Sequence, residues 1–561
     1  MGVKVENLDH LGIVAGIIDD LGIVEQIDAA VGTAAQSKVS PGQAVKAMIL
    51  NGLGFVSAPL YLYGKFFEGK AAGHLLGEGI TGEMLNDDLL GRVLDRLWRY
   101  GVSELFSVIA MRAFQVFGLA PVSYHLDSTS LSVQGQYRAK SEAAEEEPVE
   151  EQGEGREEPK PEVSPEGGEE SEPAVIEITY GYSRDHRPDL KQFMMDVICS
   201  GDGGVPLMLN LGDGNQSDTA VFSQRIAAFR KQWSVEGLFV SDSALYSEEN
   251  LQALRGLQWL TRVPLRLKAA QEAVSNLSID AFQGSQTKGY RFATLCSDYG
   301  QVQQRWVVFE SAVSRQQDLK LLDKQVKKAE AEANRQAKQL SQIEFACAED
   351  AHQAGEQCGK TWRYHQVESV SVTEKAHYPK RGRPKPDEQP QRLSCHATIT
   401  LTLDTVAVAT AQRKAGRFIL ATNNLDEQAL SADDLLKFYK QQLYSERGWR
   451  FLKDPLFFTS SVFLKTPRRI MALAMVMTLA LMVYTLAERR LRQALHNTQQ
   501  TVPDQKNKPT QTPTLRWIFQ CFQSIHLLWL DEQKLISNLK SFHLQVLALL
   551  GPSCQKYYSL P

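Results

Sequence analysis

At 561 residues the chain is long enough for about two to four domains, each with a sizeable core. Its formal charge of −5 hides an uneven distribution: residues 141–173 hold fourteen Glu, no Asp and only Arg156 and Lys160 as bases, and setting aside that net −12 leaves +7 on the rest. A mildly basic body suits a polyphosphate partner. The seven cysteines are scattered without a C-x-x-C pair, so neither a zinc site nor a disulfide framework is indicated. The N-terminal apolar residues are interrupted by Glu6, Asp9, His10, Asp19 and Asp20 and do not resemble a signal peptide, which gives a cytoplasmic expectation.

Residues 1–119 read as a helical domain, with apolar residues at three- and four-residue spacing in LGIVAGIIDDLGIVEQI and SPGQAVKAMILNGLGFV. Ser40-Pro41 predicts a helix start, with Ser as cap and Pro in the first turn. Such a module suits either a helix-turn-helix that binds DNA ends or a bundle used in dimer contacts.

Residues 120–264 begin with VSYHLDSTSLSV (122–133), an alternating strand pattern with Asp127 at its middle. The acidic run 141–173, rich in Pro, Gly and Ser, reads as a disordered linker looped out between two strands. Strands are expected at 175–182, 192–199 and 204–211, then a helix beginning near Ser217 and Asp218. GLFVSDSALYS (237–247) is a short apolar strand ending at Asp242, and another strand follows at 258–263. Asp is depleted in strands, so Asp127 calls for a reason beyond propensity.

Residues 265–415 form an expected insertion: a hairpin at 289–312, a long charged helix at 313–354 read as a solvated arm, and strands at 361–372 and 396–409. Within it, PKRGRPKP (379–386) carries Arg381 and Arg383 on an extended, Pro-bounded loop, a pattern suited to entering a narrow A·T minor groove. Cys395-His396 has no matching ligands and reads as structural.

Residues 416–490 hold a strand at 416–423, then YKQQLYSERGWRFLKDP, with Tyr439, Gln442, Glu446 and Lys453 at offsets of 0, 3, 7 and 14. On a helix these fall within an arc of roughly 60°. A carboxylate flanked by a phenol, an amide and an ammonium can hold a metal while its neighbours grip a phosphate. An acid in mid-strand, an acid at a strand exit and an acid on a later helix can converge, and three such hard oxygen ligands suit a pair of Mg²⁺ or Mn²⁺ ions. IMALAMVMTLALMVYTLA (470–487) carries no charge and is of borderline length for a bilayer span. Its Ala- and Met-rich character reads as a buried core helix, with no membrane partner. Residues 491–561 read as a polar linker followed by an apolar helical pair over 513–550, with Trp517, Phe519, Phe522, Leu527, Leu528 and Trp529 in a core.

In these residues the chain resembles the DDE transposases of insertion sequences, the branch marked by a Y-x2-R-x3-E-x6-K signature. Tyr439, Glu446 and Lys453 match it, and Gln442 stands where the family usually has Arg; GYSRDHRPDLKQF (181–193), LGDGNQSD (211–218) and GRFILATN (416–423) match as well. The resemblance implies an α/β fold: a ribonuclease H-like mixed-sheet core with a β-rich insertion, plus N-terminal and C-terminal helical regions. It implies Asp127, Asp242 and Glu446 as catalytic, metal-binding residues, with Tyr439, Lys453 and, more weakly, Gln442 on the DNA backbone. His125 and Asp218 are candidates for supporting that site. The implied activity is cutting element ends and joining 3′-hydroxyls to target DNA, on terminal inverted repeats, by a homodimer at the nucleoid. A metal-dependent endonuclease without strand transfer and a catalytically dead, transposon-derived DNA-binding protein are the alternatives.

Overall fold

The computed structural model describes residues 3–34, 37–55, 63–134, 137, 172–183, 187–378, 389–453, 464, 466–530 and 533–559. The acidic run up to 171 and the Arg381–Arg383 hook lie outside the described residues, as does the side chain of Asp218. The chain is mixed α/β and divides into two compact units, Met1–Leu260 with Lys437–Pro561, and Thr261–Leu436. It leaves the first unit within the strand Gln258–Arg262 and returns within the helix Ala432–Leu452.

The first unit opens with a strand, Val3–Asn7, and continues as helices Leu11–Leu21, Ile23–Val31, Pro41–Gly52, Asp87–Tyr100 and Val102–Val116. The helix at Pro41 starts with a full capping box: Gln43 N donates to Ser40 Oγ at 3.1 Å, and Ser40 N donates to Gln43 Oε1 at 2.9 Å. Each bond satisfies an amide that the helix itself cannot.

The core strands of this unit lie in the order Pro206–Gly212, Lys191–Ser200, Ser123–Val133, Leu238–Ser241. The first three pair antiparallel, and Leu238–Ser241 runs parallel to Ser123–Val133. In the alternating strand Ser123, His125, Ser128, Thr129 and Ser130 are all buried. The small hydroxyls let other elements close over both faces. The strand expected at 175–182 is reduced to a single bridge, Thr179 with Gln192. There Gln192 Nε2 donates to Gly214 O at 2.8 Å, so the two motif segments 181–193 and 211–218 meet.

Helix Pro467–Asn497 is the spine of the unit. It is long and apolar enough to cross a membrane, yet 89% of its most apolar stretch is buried within the protein. Each fully buried Leu, Met or Val here contributes about 1.5–3 kcal/mol. Its start is tied to Asp95 by Arg469, with Nη2 to Oδ2 at 2.7 Å. Its far half places Arg489 against Asp202.

The C-terminal region departs from a helical pair. Between helices Leu515–Cys521 and Ser541–Leu550 stands a hairpin, His526–Leu530 with Gln533–Ser537. Its partner is the N-terminal strand, Val3–Asn7, paired antiparallel with His526–Leu530. The segment is β-prone, and the edge that selects that state comes from the other end of the chain. Beyond it, Cys554 packs against Gly16, and Lys46 Nζ reaches Asp19 Oδ1 at 2.6 Å and Tyr557 OH at 2.9 Å.

The second unit carries an antiparallel sheet, Arg417–Thr422, Gln304–Ser311, Tyr290–Ser297 and Gln283–Gly284, and a separate hairpin, His365–His377 with Arg392–Leu403. The charged helix expected over 313–354 is two helices, Ala312–Ser341 and Ala348–Gly359. The break follows from Phe345, whose backbone exchanges two hydrogen bonds with Cys395, at 2.8 and 2.9 Å. The long helix is a solvated arm only on its outer side. Leu322, Ala333 and Ala337 are buried, and Trp362 Nε1 donates to Gln336 Oε1 at 2.9 Å. Cys395 is buried beside Ala351 and Ala397, a packing role.

Candidate active site

The site grows from the register of two parallel strands in the first unit. Ser123, Tyr124, His125 and Leu126 pair with Leu238, Phe239, Val240 and Ser241. The next residue on each strand is an acid, Asp127 on one and Asp242 on the other. Asp127 stays within its strand, opposite Val197 of the antiparallel neighbour, and its Oδ1 accepts from Ser128 N at 2.9 Å. Asp242 leaves the sheet: its Oδ1 accepts from Ala244 N at 2.9 Å and caps the short turn Ser243–Leu245. The strand therefore ends at the acid, because a capping carboxylate turns the backbone. Both side chains are half-buried.

Helix Ala432–Leu452 crosses this strand just before Asp127. Gln442 Nε2 donates to Leu126 O at 3.4 Å. One residue earlier, Gln441 Oε1 accepts from Ser123 Oγ at 3.3 Å, and Ser123 Oγ lies 3.0 Å from His125 Nε2. On its other side the helix packs on the apolar spine, where a Cβ on Gly448 would stand 3.0 Å from Leu481. One turn beyond Gln442, on the same helical face, is Glu446, which is exposed. Tyr439 and Lys453 are half-buried, and Lys453 sits in the turn that ends the helix.

The structure thus brings Asp127 beside Asp242 and lays the Glu446 helix over the strand that carries Asp127. It does not draw all three together: among the described residues, no three His, Cys, Asp or Glu side chains are gathered as a metal-holding group. Gln442, expected on the DNA backbone, is only 6% exposed. The shared arc of Tyr439, Gln442, Glu446 and Lys453 gives their common face but not what that face meets. His125 is buried, and burial lowers its pKa to about 4 against the opposing influence of the Gln442 side chain, so the imidazole is neutral.

Sequence reasoning passed over Ser123, Gln441 and Asp196. Asp196 is buried, accepting from Ser128 Oγ at 2.6 Å and from Arg225 Nε at 3.2 Å. By strand alternation it faces away from Asp127. An acid within KQFMMDVICS was its only signal.

The family of the Transposase DDE domain matches residues 125–483, more than half of the chain, including Asp127, Asp242 and Glu446. The chain is a DDE transposase. A domain of unknown function, DUF4277, matches residues 3–111, the N-terminal helices of this transposase. No curated protein matches the chain. Among solved structures, a cryo-EM structure of a piggyBac transposase synaptic complex with hairpin DNA is similar to the transposase at 9% identity. That likeness covers 92% of this chain and 79% of that one, with a TM-score of 0.34. Family membership makes the transposase a DNA-cleaving enzyme of DNA recombination, in a family that uses divalent metal ions.

Proposed function

We propose that this chain is the transposase of a bacterial insertion sequence, from the YREK-signature branch and with a ribonuclease H-like core. In this reading it cuts the element ends and joins the freed 3′-hydroxyls to target DNA. The observation that carries it is the register that sets Asp127 next to Asp242 on neighbouring parallel strands.

The donor set fits divalent cations. Asp127, Asp242 and Glu446 offer only carboxylate oxygens, the hard ligands that Mg²⁺ and Mn²⁺ prefer. Gathering three carboxylates costs mutual repulsion, which divalent cations would offset. These three residues would hold two ions, which supply an activated oxygen nucleophile and stabilise the departing oxygen of an in-line phosphoryl displacement.

The chain's own residues do the rest. Tyr439 and Lys453 would hold the DNA backbone beside the scissile phosphate, Lys453 by charge and Tyr439 by its hydroxyl. Arg381 and Arg383 would enter an A·T minor groove, and the N-terminal helices would bind the terminal inverted repeats. Two copies would work on paired ends at the nucleoid in the cytoplasm.

The test is an incubation of the full chain with Mg²⁺ and DNA carrying the element's own terminal repeats. Asp127→Asn, Asp242→Asn and Glu446→Gln should each lose cleavage and joining while DNA binding persists. Full activity in any one of them sinks the assignment. Cleavage without joining in the parent chain would favour a plain endonuclease.

A further inference from the structure

We infer that Gln442 is a positioning residue rather than a DNA contact: it ties the helix bearing Glu446 to the strand bearing Asp127, and so sets the spacing of the metal-binding acids. This rests on the reading of Asp127, Asp242 and Glu446 given above.

Three observations carry it. Gln442 is buried, and its amide bonds to the backbone of Leu126, the residue before Asp127. Two buried atoms at this place, Gln442 Oε1 and His125 Nδ1, have no hydrogen-bond partner among the described residues, and the two side chains lie together. Finally, the surroundings are closed: a Cβ on Gly201 would lie 2.1 Å from Ser123 Oγ and 3.1 Å from both Gln441 Oε1 and His125 Nε2.

One proton arrangement joins these groups. With the proton on Nδ1, His125 donates to Gln442 Oε1 after a small closing movement, and its Nε2 accepts from the Ser123 hydroxyl. With its amide turned over, Gln441 then donates to Ser123 Oγ. The chain of bonds runs from Gln441 through Ser123 and His125 to Gln442 and ends on Leu126 O. Every buried polar atom in it is satisfied, which is what a buried polar network requires.

The same environment explains the departure from the family's Arg. A guanidinium here would be buried beside Ser123, His125 and the Leu126 carbonyl, none of which is a carboxylate. An unpaired buried charge is heavily disfavoured. A neutral amide fits where the guanidinium does not.

The experiment uses the full chain, terminal-repeat DNA and Mg²⁺, and compares Gln442→Leu, Gln442→Met and Gln442→Arg with the parent. The single-turnover cleavage rate at saturating DNA should fall about tenfold or more in Gln442→Leu, since small misplacements of catalytic groups carry such losses. Its Mg²⁺ midpoint should rise several-fold, while DNA affinity and its salt dependence stay within about twofold of the parent. Gln442→Arg should be impaired at least as much. The inference is overturned if Gln442→Leu weakens DNA binding with an unchanged rate at saturation, or if Gln442→Arg tightens DNA binding and steepens its salt dependence. Should Gln442→Leu fail to fold, Gln442→Met keeps the length without the amide, and parental rate and Mg²⁺ dependence in that variant also overturn it. Asp127→Asn run in parallel separates the two failures. If it is inactive while Gln442→Leu behaves as the parent, only the positioning role fails; if it is active, both readings fail.

Discussion

Asp127 and Asp242 each stand one residue past the last paired position, Leu126 with Ser241, of two parallel strands, but only Asp242 also caps a turn. The two acids should therefore differ in what they do for stability. Asn caps as well as Asp, so Asp242→Asn should leave the unfolding midpoint unchanged while abolishing cleavage. Asp242→Ala removes the acceptor from Ala244 N and should cost about 1 kcal/mol in addition. Denaturant unfolding of the two variants, set beside the cleavage assay, checks this. Equal stability of Asp242→Ala and Asp242→Asn would show that the cap contributes nothing.

The second unit contains a buried ion cluster with its own pH signature. Glu310 accepts from Arg417 Nε at 3.0 Å and Arg291 Nη2 at 2.6 Å, with Arg315 Nη1 at 3.7 Å. Burial pushes its carboxyl up, but the guanidiniums of Arg417 and Arg291 outweigh that and hold it below the ordinary range. A depressed folded-state pKa means the contribution is fully present above the unfolded value, about 4.3 for Glu. It is lost as pH falls through the folded value. Glu310→Ala leaves the arginines unpaired and should cost about 3 kcal/mol at neutral pH. The gap in melting temperature between parent and variant should narrow below about pH 4. A gap that widens on acidification would contradict the assigned sign.

How much of this was readable in advance depends on whether the deciding contact is local. The strand positions of Asp127 and Asp242 were legible, because apolar runs and turn residues bracket each one. So was the burial of 470–487, where an uncharged stretch rich in Ala and Met has few other fates in a mixed α/β chain. The hairpin His526–Ser537 was not, since the strand that pairs with it, Val3–Asn7, lies at the far end of the sequence. The break after Ser341 was hidden for the same reason, being set by the Phe345 bridge to Cys395. Gln442 shows the limit within the site itself: helical spacing gives which residues share a face, and only packing tells that this one meets Leu126 and His125.

Closure of the N-terminal helices by the C-terminal end gives a steric prediction. A Cβ on Gly16 would sit 2.6 Å from Cys554 Cα and from Ser553 O, both backbone atoms that cannot rotate away. Gly16→Ala gains in helix propensity, by about 1 kcal/mol, but must push the C-terminal turn outward. Overpacking of this kind costs about 1–3 kcal/mol, so the net effect should be a lowered melting temperature. Truncation after Gly551 removes the obstruction, and in that background Gly16→Ala should become neutral or stabilising. Thermal melts of the four proteins test the coupling, and equal effects in both backgrounds would rule it out.

Helix Pro467–Asn497 makes opposite predictions as a membrane span and as a core helix. Its apolar stretch is already covered by the protein, with Met475, Val476, Leu479 and Met482 fully buried. A lipid-facing helix would expose such residues around its circumference, and this one leaves little apolar surface for lipid. The chain should therefore stay in the supernatant of a high-speed spin without detergent. Ala480→Lys would place an unpaired ammonium in the core, costing about 3–5 kcal/mol, and should send the chain to the aggregated fraction or lower its urea midpoint sharply. Lys at the exposed Arg468 position, two residues before the buried stretch, should do neither. Recovery of the parent chain only with detergent would overturn the core assignment.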